Sequence, residues 1–225
     1  MMKQRPTVEY YFSFISLWSY IGSLAFQNLV KRHDIHVEFK PINLLAVFAA
    51  GGGKPVRERP PQRQAYRLVE MERWKRIRGI PLVTWPKFYP ADPSLGHRML
   101  ISAIGEGENV TAFSHAGLKA VWADELNVED ADTLIDLANG SGLDGRRLLA
   151  QATEREMAAR ETNLTREAIE RQLFGAPFYF YRGEPFWGQD RLDQLEAAVV
   201  SGDPPIRPVA VTDFVSGKAA TIGIE

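Results

Sequence analysis

Tyr10-Tyr11-Phe12-Ser13-Phe14-Ile15-Ser16-Leu17-Trp18-Ser19-Tyr20 is the stretch on which the fold turns. Val8 to Ile15 is aromatic and β-branched, the composition of a buried strand. Ser16 and Ser19 are both N-cap residue types. Behind them Tyr20, Leu24, Ala25, Leu29 and Val30 recur at helical spacing. Val37 to Pro41 alternates Val37 and Phe39 with Glu38 and Lys40, a second strand. Strand, helix, strand in so short a span predicts a parallel crossover unit of an α/β fold.

Outward from that unit the chain changes character. Gly51-Gly52-Gly53-Lys54-Pro55 through Arg59-Pro60-Pro61 is a loop that no helix runs through comfortably. A helix is expected over Gln62 to Arg78, closed by Gly79-Ile80-Pro81, and then a proline-rich aromatic loop over 82–94. Further helices are expected at Leu95–Ile104, Ala112–Glu125, Asp130–Asn139, Asp144 or Gly145 through Met157, and Thr165–Leu173. Strands return at Pro177–Tyr181 and Pro185–Trp187 around the turn Arg182-Gly183-Glu184, and Asp190–Val200 forms a last helix. The order is β-α-β, a helical block, then β-β-α. It predicts an α/β fold: a thioredoxin-like core over 8–60 and 174–200, an inserted all-helical domain over 61–173, and an unplaced extension, 201–225, with a strand-like piece at Val209–Val211.

Composition narrows the function. The 225 residues are 45% hydrophobic and 24% charged, enough for a real core. A net charge of -1 gives no global attraction to nucleic acid or an anionic membrane. The start of the chain lacks the pattern of a signal peptide, and no apolar run nears the roughly 20 residues of a membrane span, so a cytoplasmic address is expected. There is no cysteine, hence no disulfide, no protein thiolate and no dithiol oxidoreductase chemistry. His33, His36, His97 and His115 show neither metal-ligand nor catalytic spacing, and Gly51-Gly52-Gly53-Lys54 lacks the full spacing of a phosphate loop.

Phe12 to Tyr20 is similar to the start of the kappa-class glutathione transferases and 2-hydroxychromene-2-carboxylate isomerases. Gly175-Ala176-Pro177 with Phe186-Trp187-Gly188-Gln189-Asp190-Arg191-Leu192 resembles that family's second half. Lys40-Pro41, Gly53-Lys54-Pro55 and Arg73-Trp74 ahead of Gly79-Ile80-Pro81 extend the resemblance over roughly 8–200. The pattern departs at Leu17, where a proline is usual, and at Ala176, Phe178, Gly53 and Arg63, the last standing where a lysine is usual.

The resemblance implies a glutathione-dependent isomerase, with a kappa-like transferase as the alternative, acting as a homodimer on a small-molecule substrate of aromatic degradation. Ser16 would donate to the glutathione thiolate at a helix N-terminus, a natural anion site. By itself Ser16 reads as an N-cap. Pro177 would be cis, with the Ala176 N–H and C=O free to pair with glutathione as an added strand; by itself it reads as a strand-initiating proline. Gln189, Asp190 and Arg191 would hold the γ-glutamyl end, although Asp190 also suits a plain N-cap. Arg63 would hold a carboxylate, and Trp18, Tyr20, Lys54 and Trp85 would line the substrate pocket. No metal is expected. A rival of another class is a non-catalytic thioredoxin-fold protein that binds a partner through the proline loop.

Overall fold

The structure is a computed structural model and describes residues 5–208. A four-stranded mixed sheet in the order β2-β1-β3-β4 lies at its centre. Strand β1 (Thr7–Phe12) runs parallel to β2 (His36–Pro41), placing Tyr10 beside Phe39. On its other edge β1 pairs antiparallel with β3 (Phe178–Tyr181), which pairs with β4 (Glu184–Trp187). Arg182 and Gly183 both have positive φ, 54° and 86°, as a two-residue type I′ hairpin requires.

Alternation along β1 sends its side chains into two cores. Val8, Tyr10 and Phe12 join Tyr179 against helix α1 (Leu17–Arg32) and the helices that follow, whereas Tyr11 joins Phe178 and Phe180 on the other face. The second face is covered in part by α2 (Leu44–Ala50), a helix the sequence reading did not include. Its seven residues are apolar almost all round, so no helical period stands out; Asn43, whose side chain accepts from the Ala46 amide at 3.1 Å, was the available start signal.

The segment between β2 and β3 is helical as read. After α2 come α3 (Pro61–Arg78), α4 (Ser94–Gly105), α5 (Thr111–Trp122), α6 (Ala131–Gly140), α7 (Gly145–Ala152) and α8 (Arg155–Glu170). Gly79 closes α3 in the left-handed conformation at φ 61°, and Asp130 and Asp144 cap α6 and α7. The helix expected to run to Met157 stops at Ala152. Glu154 is extended there, at φ -70° and ψ 144°, and α8 then runs through the region expected to hold a separate helix. Neither glycine nor proline marks that break. The last helix, α9, is Leu192–Ser201, preceded by a 3-10 turn at Gln189–Arg191. Asp190 therefore lies inside the turn and does not cap α9. The strand-like piece Val209–Val211 lies outside the described residues.

Candidate active site

The site forms where β1 hands over to α1. The Ser16 amide donates back to the Ser13 carbonyl at 2.8 Å, closing a tight turn, and Ser16 itself is extended, at φ -84° and ψ 108°. Of the two serines read as caps, Ser16 is the N-cap: its hydroxyl oxygen accepts from the Ser19 amide at 3.2 Å. The first turn of α1 holds no acidic side chain, so nothing in it neutralises the positive end of the helix, while Lys31 and Arg32 complement the far end.

The Ser16 hydroxyl proton goes to the Ala176 carbonyl, at 3.1 Å. The two halves of the site thus meet at one hydrogen bond, and the Ala176–Pro177 peptide that follows the accepting carbonyl's residue is cis. This corrects one expectation, because the Ala176 carbonyl is not free. The bond is between neutral groups. An anionic sulfur at the helix start would accept the same proton in a charge-assisted bond, roughly twice as strong. In this structure the hydroxyl is buried and committed to that neutral bond.

Residues 186–191 back this contact. The Gly188 amide donates to the Pro177 carbonyl at 3.0 Å. Gln189 is 2% exposed and seats its Cβ on Gly22 of α1, where an added Cβ would stand 2.5 Å away. Arg78, near the end of α3, donates to the Gln189 side-chain oxygen at 2.8 Å and to its backbone carbonyl at 3.2 Å, and it lies over the Trp74 ring at 5.1 Å. Burial and the Arg78 bonds tie Gln189 into the framework of the site. Arg78 escaped the sequence reading because an arginine in a last helical turn reads as a dipole partner; only the tertiary fold sets it against residue 189. Asp190 and Arg191, both exposed, pair with each other at 2.8 Å.

The other expected residues scatter. Lys54 and Arg63 are exposed, on the glycine-proline loop and on the first turn of α3. With Arg59 and Arg67 they make a run of cations, and none of the four has an ion pair among the described residues. The Arg59 guanidinium lies over the Phe48 ring at 5.5 Å and that of Arg67 over Trp122 at 5.6 Å. Burial, followed by the charge of Arg63, pulls the Arg59 pKa below the usual arginine value; burial first does the same to Arg67. Trp18 is half-buried and Trp85 is 74% exposed. Tyr20 is buried, with its hydroxyl donating to the Pro81 carbonyl at 2.5 Å; burial and then the Asp124 charge push the phenol up to about 12. It is a strut between α1 and the Gly79-Ile80-Pro81 segment that follows α3, not a pocket wall. No cluster of metal-ligating side chains occurs among the described residues.

A cleft of about 1000 Å³ opens elsewhere, between Val30, Phe39, Ile104 and Leu164, and no residue of the Ser16 contact lines it. Volume and chemistry part company here. Lys40 and Glu167 in that cleft are paired with each other at 2.7 Å, while Lys31 and Arg160, which also line it, have no ion pair among the described residues; the start of α1 lies outside it.

A strand feeding a capped helix that faces a cis-proline loop, with helices inserted between the halves of the sheet, defines a thioredoxin-type protein of the DsbA-like class. Residues 7–200 match the DSBA-like thioredoxin domain, and the chain belongs to that family. It is 28% identical over 193 residues to a 2-hydroxychromene-2-carboxylate isomerase of Sphingobium xenophagum, covering 85% of this chain and 96% of that one. It is 29% identical over 196 residues to the enzyme of the same name from Pseudomonas putida, covering 85% and 93%. A solved 2-hydroxychromene-2-carboxylate isomerase superposes with a TM-score of 0.74 at 27% identity, over 85% of this chain and 93% of the other. These relatives are isomerases, and the absence of cysteine rules out the dithiol exchange of the wider fold. Among the described residues, no helix is long and apolar enough to cross a membrane.

Proposed function

We propose that this chain is a glutathione-dependent isomerase of the 2-hydroxychromene-2-carboxylate type. The observation that carries the proposal is the Ser16–Ala176 hydrogen bond: it sets a hydroxyl donor on an acid-free helix start, opposite the cis-proline loop, in a protein with no thiol of its own. The names of the relatives favour isomerisation over transfer.

Glutathione fits the donor set. It carries two carboxylates and an ammonium besides the thiol. The chain offers Arg63 with Lys54, Arg59 and Arg67, four cations without an ion pair among the described residues, the exposed Asp190 carboxylate, and a helix start suited to an anion. When bound, glutathione supplies a thiolate nucleophile that adds reversibly to the substrate and leaves unchanged. The protein's part is to hold that sulfur deprotonated. Ser16 turns its proton from Ala176 to the sulfur, and the amides of the first turn of α1 add their dipole. Asp190, the amides of Gln189 and Asp190, and Arg63 fix the peptide ends, so the reacting atoms meet in one orientation.

The test has two arms. Calorimetry with glutathione, paired with the ultraviolet band of a thiolate, is expected to show binding and ionisation near neutral pH. Conversion of 2-hydroxychromene-2-carboxylate is expected to require added glutathione. Binding without a thiolate band, or turnover indifferent to glutathione, would overturn the proposal.

A further inference from the structure

Phe14, two residues before Ser16, is fully buried among the inserted helices. Its ring fills a socket made by glycines on two of them. A Cβ on Gly96 of α4 would stand 2.7 Å from the ring, and one on Gly117 of α5 would stand 2.4 Å from it. Phe113 closes the socket edge-on at 6.0 Å.

The Phe14 backbone amide donates to Nε2 of His97, on α4, at 3.2 Å. A ring nitrogen that accepts carries no proton, so the proton of this neutral imidazole sits on Nδ1. Nδ1 faces Oε1 of Glu161 at 3.4 Å, an electrostatic contact and not a hydrogen bond, and neither buried atom has a hydrogen-bond partner among the described residues. The second Glu161 oxygen accepts from Arg98 Nε at 2.9 Å. A carboxylate this deeply buried is costly, and a histidine serving only as packing has no use for one. Here the acid lies where it selects the tautomer that can accept from Phe14.

We propose that His97 is a positioning residue for Ser16. Backed by Glu161 and Arg98, it holds the Phe14 amide and thereby the 13–16 turn, whose closing bond joins the Ser16 amide to the Ser13 carbonyl. The helical segment thus sets the aim of the Ser16 hydroxyl from behind. The catalytic consequence rests on Ser16 being the thiolate donor; the hold on the turn does not.

The test compares His97→Leu, which has no acceptor, with His97→Gln, whose side-chain oxygen can occupy the Nε2 position. In His97→Leu, amide exchange at Phe14 and Ser16 is expected to accelerate about 100-fold relative to Tyr10 of β1. The fraction of bound glutathione present as thiolate near neutral pH is expected to fall about tenfold. His97→Gln is expected to restore both. Loss of packing alone would not move the thiol titration, nor would it be rescued by glutamine. Unchanged exchange at Phe14 and Ser16 in His97→Leu would overturn the proposal. If that variant does not fold, ¹⁵N resonances of the wild-type imidazole decide: a proton on Nδ1 is expected, and a proton on Nε2 refutes the hold. If wild-type protein binds no glutathione thiolate, the functional reading fails, while exchange and tautomer still decide what His97 holds.

Discussion

The Ser16 hydroxyl donates to the Ala176 carbonyl at 3.1 Å across 160 residues of chain, while its oxygen accepts from the Ser19 amide. One side chain therefore caps a helix and joins the two halves of the site. Ser16→Ala removes both contacts. The lost cap costs about 1 kcal/mol, too little to unfold the domain. The lost donor leaves the bound sulfur to the helix amides alone, so turnover is expected to fall about 100-fold and the bound thiol pKa to rise. Stopped-flow rates across pH, with the thiolate band followed in parallel, check this; a rate unchanged at every pH would remove Ser16 from the mechanism.

Gly22 and Gln189 touch so closely that position 22 has no room for a side chain. A Cβ there meets Gln189 Cβ at 2.5 Å and its backbone Cα at 3.4 Å. Ordinarily Gly→Ala inside a helix stabilises it, by about 1 kcal/mol. Here the turn carrying Asp190 must move instead. Gly22→Ala is expected to lower stability by about 1–3 kcal/mol and to weaken glutathione binding. Thermal unfolding and calorimetry separate the two effects, and a stabilised variant with unaltered binding would show that the turn yields freely.

How much of this could be read beforehand depends on the distance over which each signal acts. Strand β2, helix α1 and the hairpin at Arg182-Gly183 are written in local alternation, capping and turn chemistry; β1 is too, but it ends at Phe12 and not at Ile15, because Ser13 to Ser16 turn into the helix. Helix α2 was hidden by an apolar run without period, and the α7–α8 break by the lack of a glycine or proline. In the candidate site, Ser16 and the Ala176-Pro177 loop could be singled out from sequence because each has a recognisable local form. Arg78 and His97 were not. Their roles arise from contacts 111 and 83 residues away in sequence, and nothing beside them announces a partner. Tyr20 shows the converse: its aromatic neighbourhood suggested a pocket wall, but burial and the bond to Pro81 make it a support.

Arg63 is exposed, has no ion pair among the described residues, and adds to the positive field that, after burial, depresses Arg59. Arg63→Ala relieves like-charge repulsion, so stability is expected to stay within about 0.5 kcal/mol of wild type or rise slightly. If Arg63 holds a glutathione carboxylate equally in ground and transition states, the KM for glutathione rises with kcat unchanged. Steady-state kinetics at two ionic strengths would also show the rise shrinking with salt. An unaltered KM would return Arg63 to plain surface charge.

Glu9 sets the acid limit of stability. On the face of β1 opposite Tyr10 it accepts from Arg171 through both oxygens and from Lys40 at 2.7 Å. Burial alone would raise this carboxyl, but the bonds from Arg171 and Lys40 together outweigh it and leave the pKa below the ordinary 4.5. A group whose pKa is lower folded than unfolded stabilises the fold fully above its unfolded value. That stabilisation is lost as pH falls through the folded one. Glu167, bonded to Lys40 and Tyr11, is lowered in the same sense, so it steepens the same limb. The unfolding midpoint is therefore expected to be flat from neutral pH down to about 5 and to drop below that. Glu9→Gln keeps the shape and loses the charge. It is expected to cost about 2 kcal/mol at pH 7 and progressively less in acid, where wild-type Glu9 is itself protonated. The two curves of midpoint against pH should converge as pH falls through the folded Glu9 value, which lies below that of the unfolded carboxyl. Parallel curves would mean that the Arg171–Glu9–Lys40 contacts contribute through packing and not through charge.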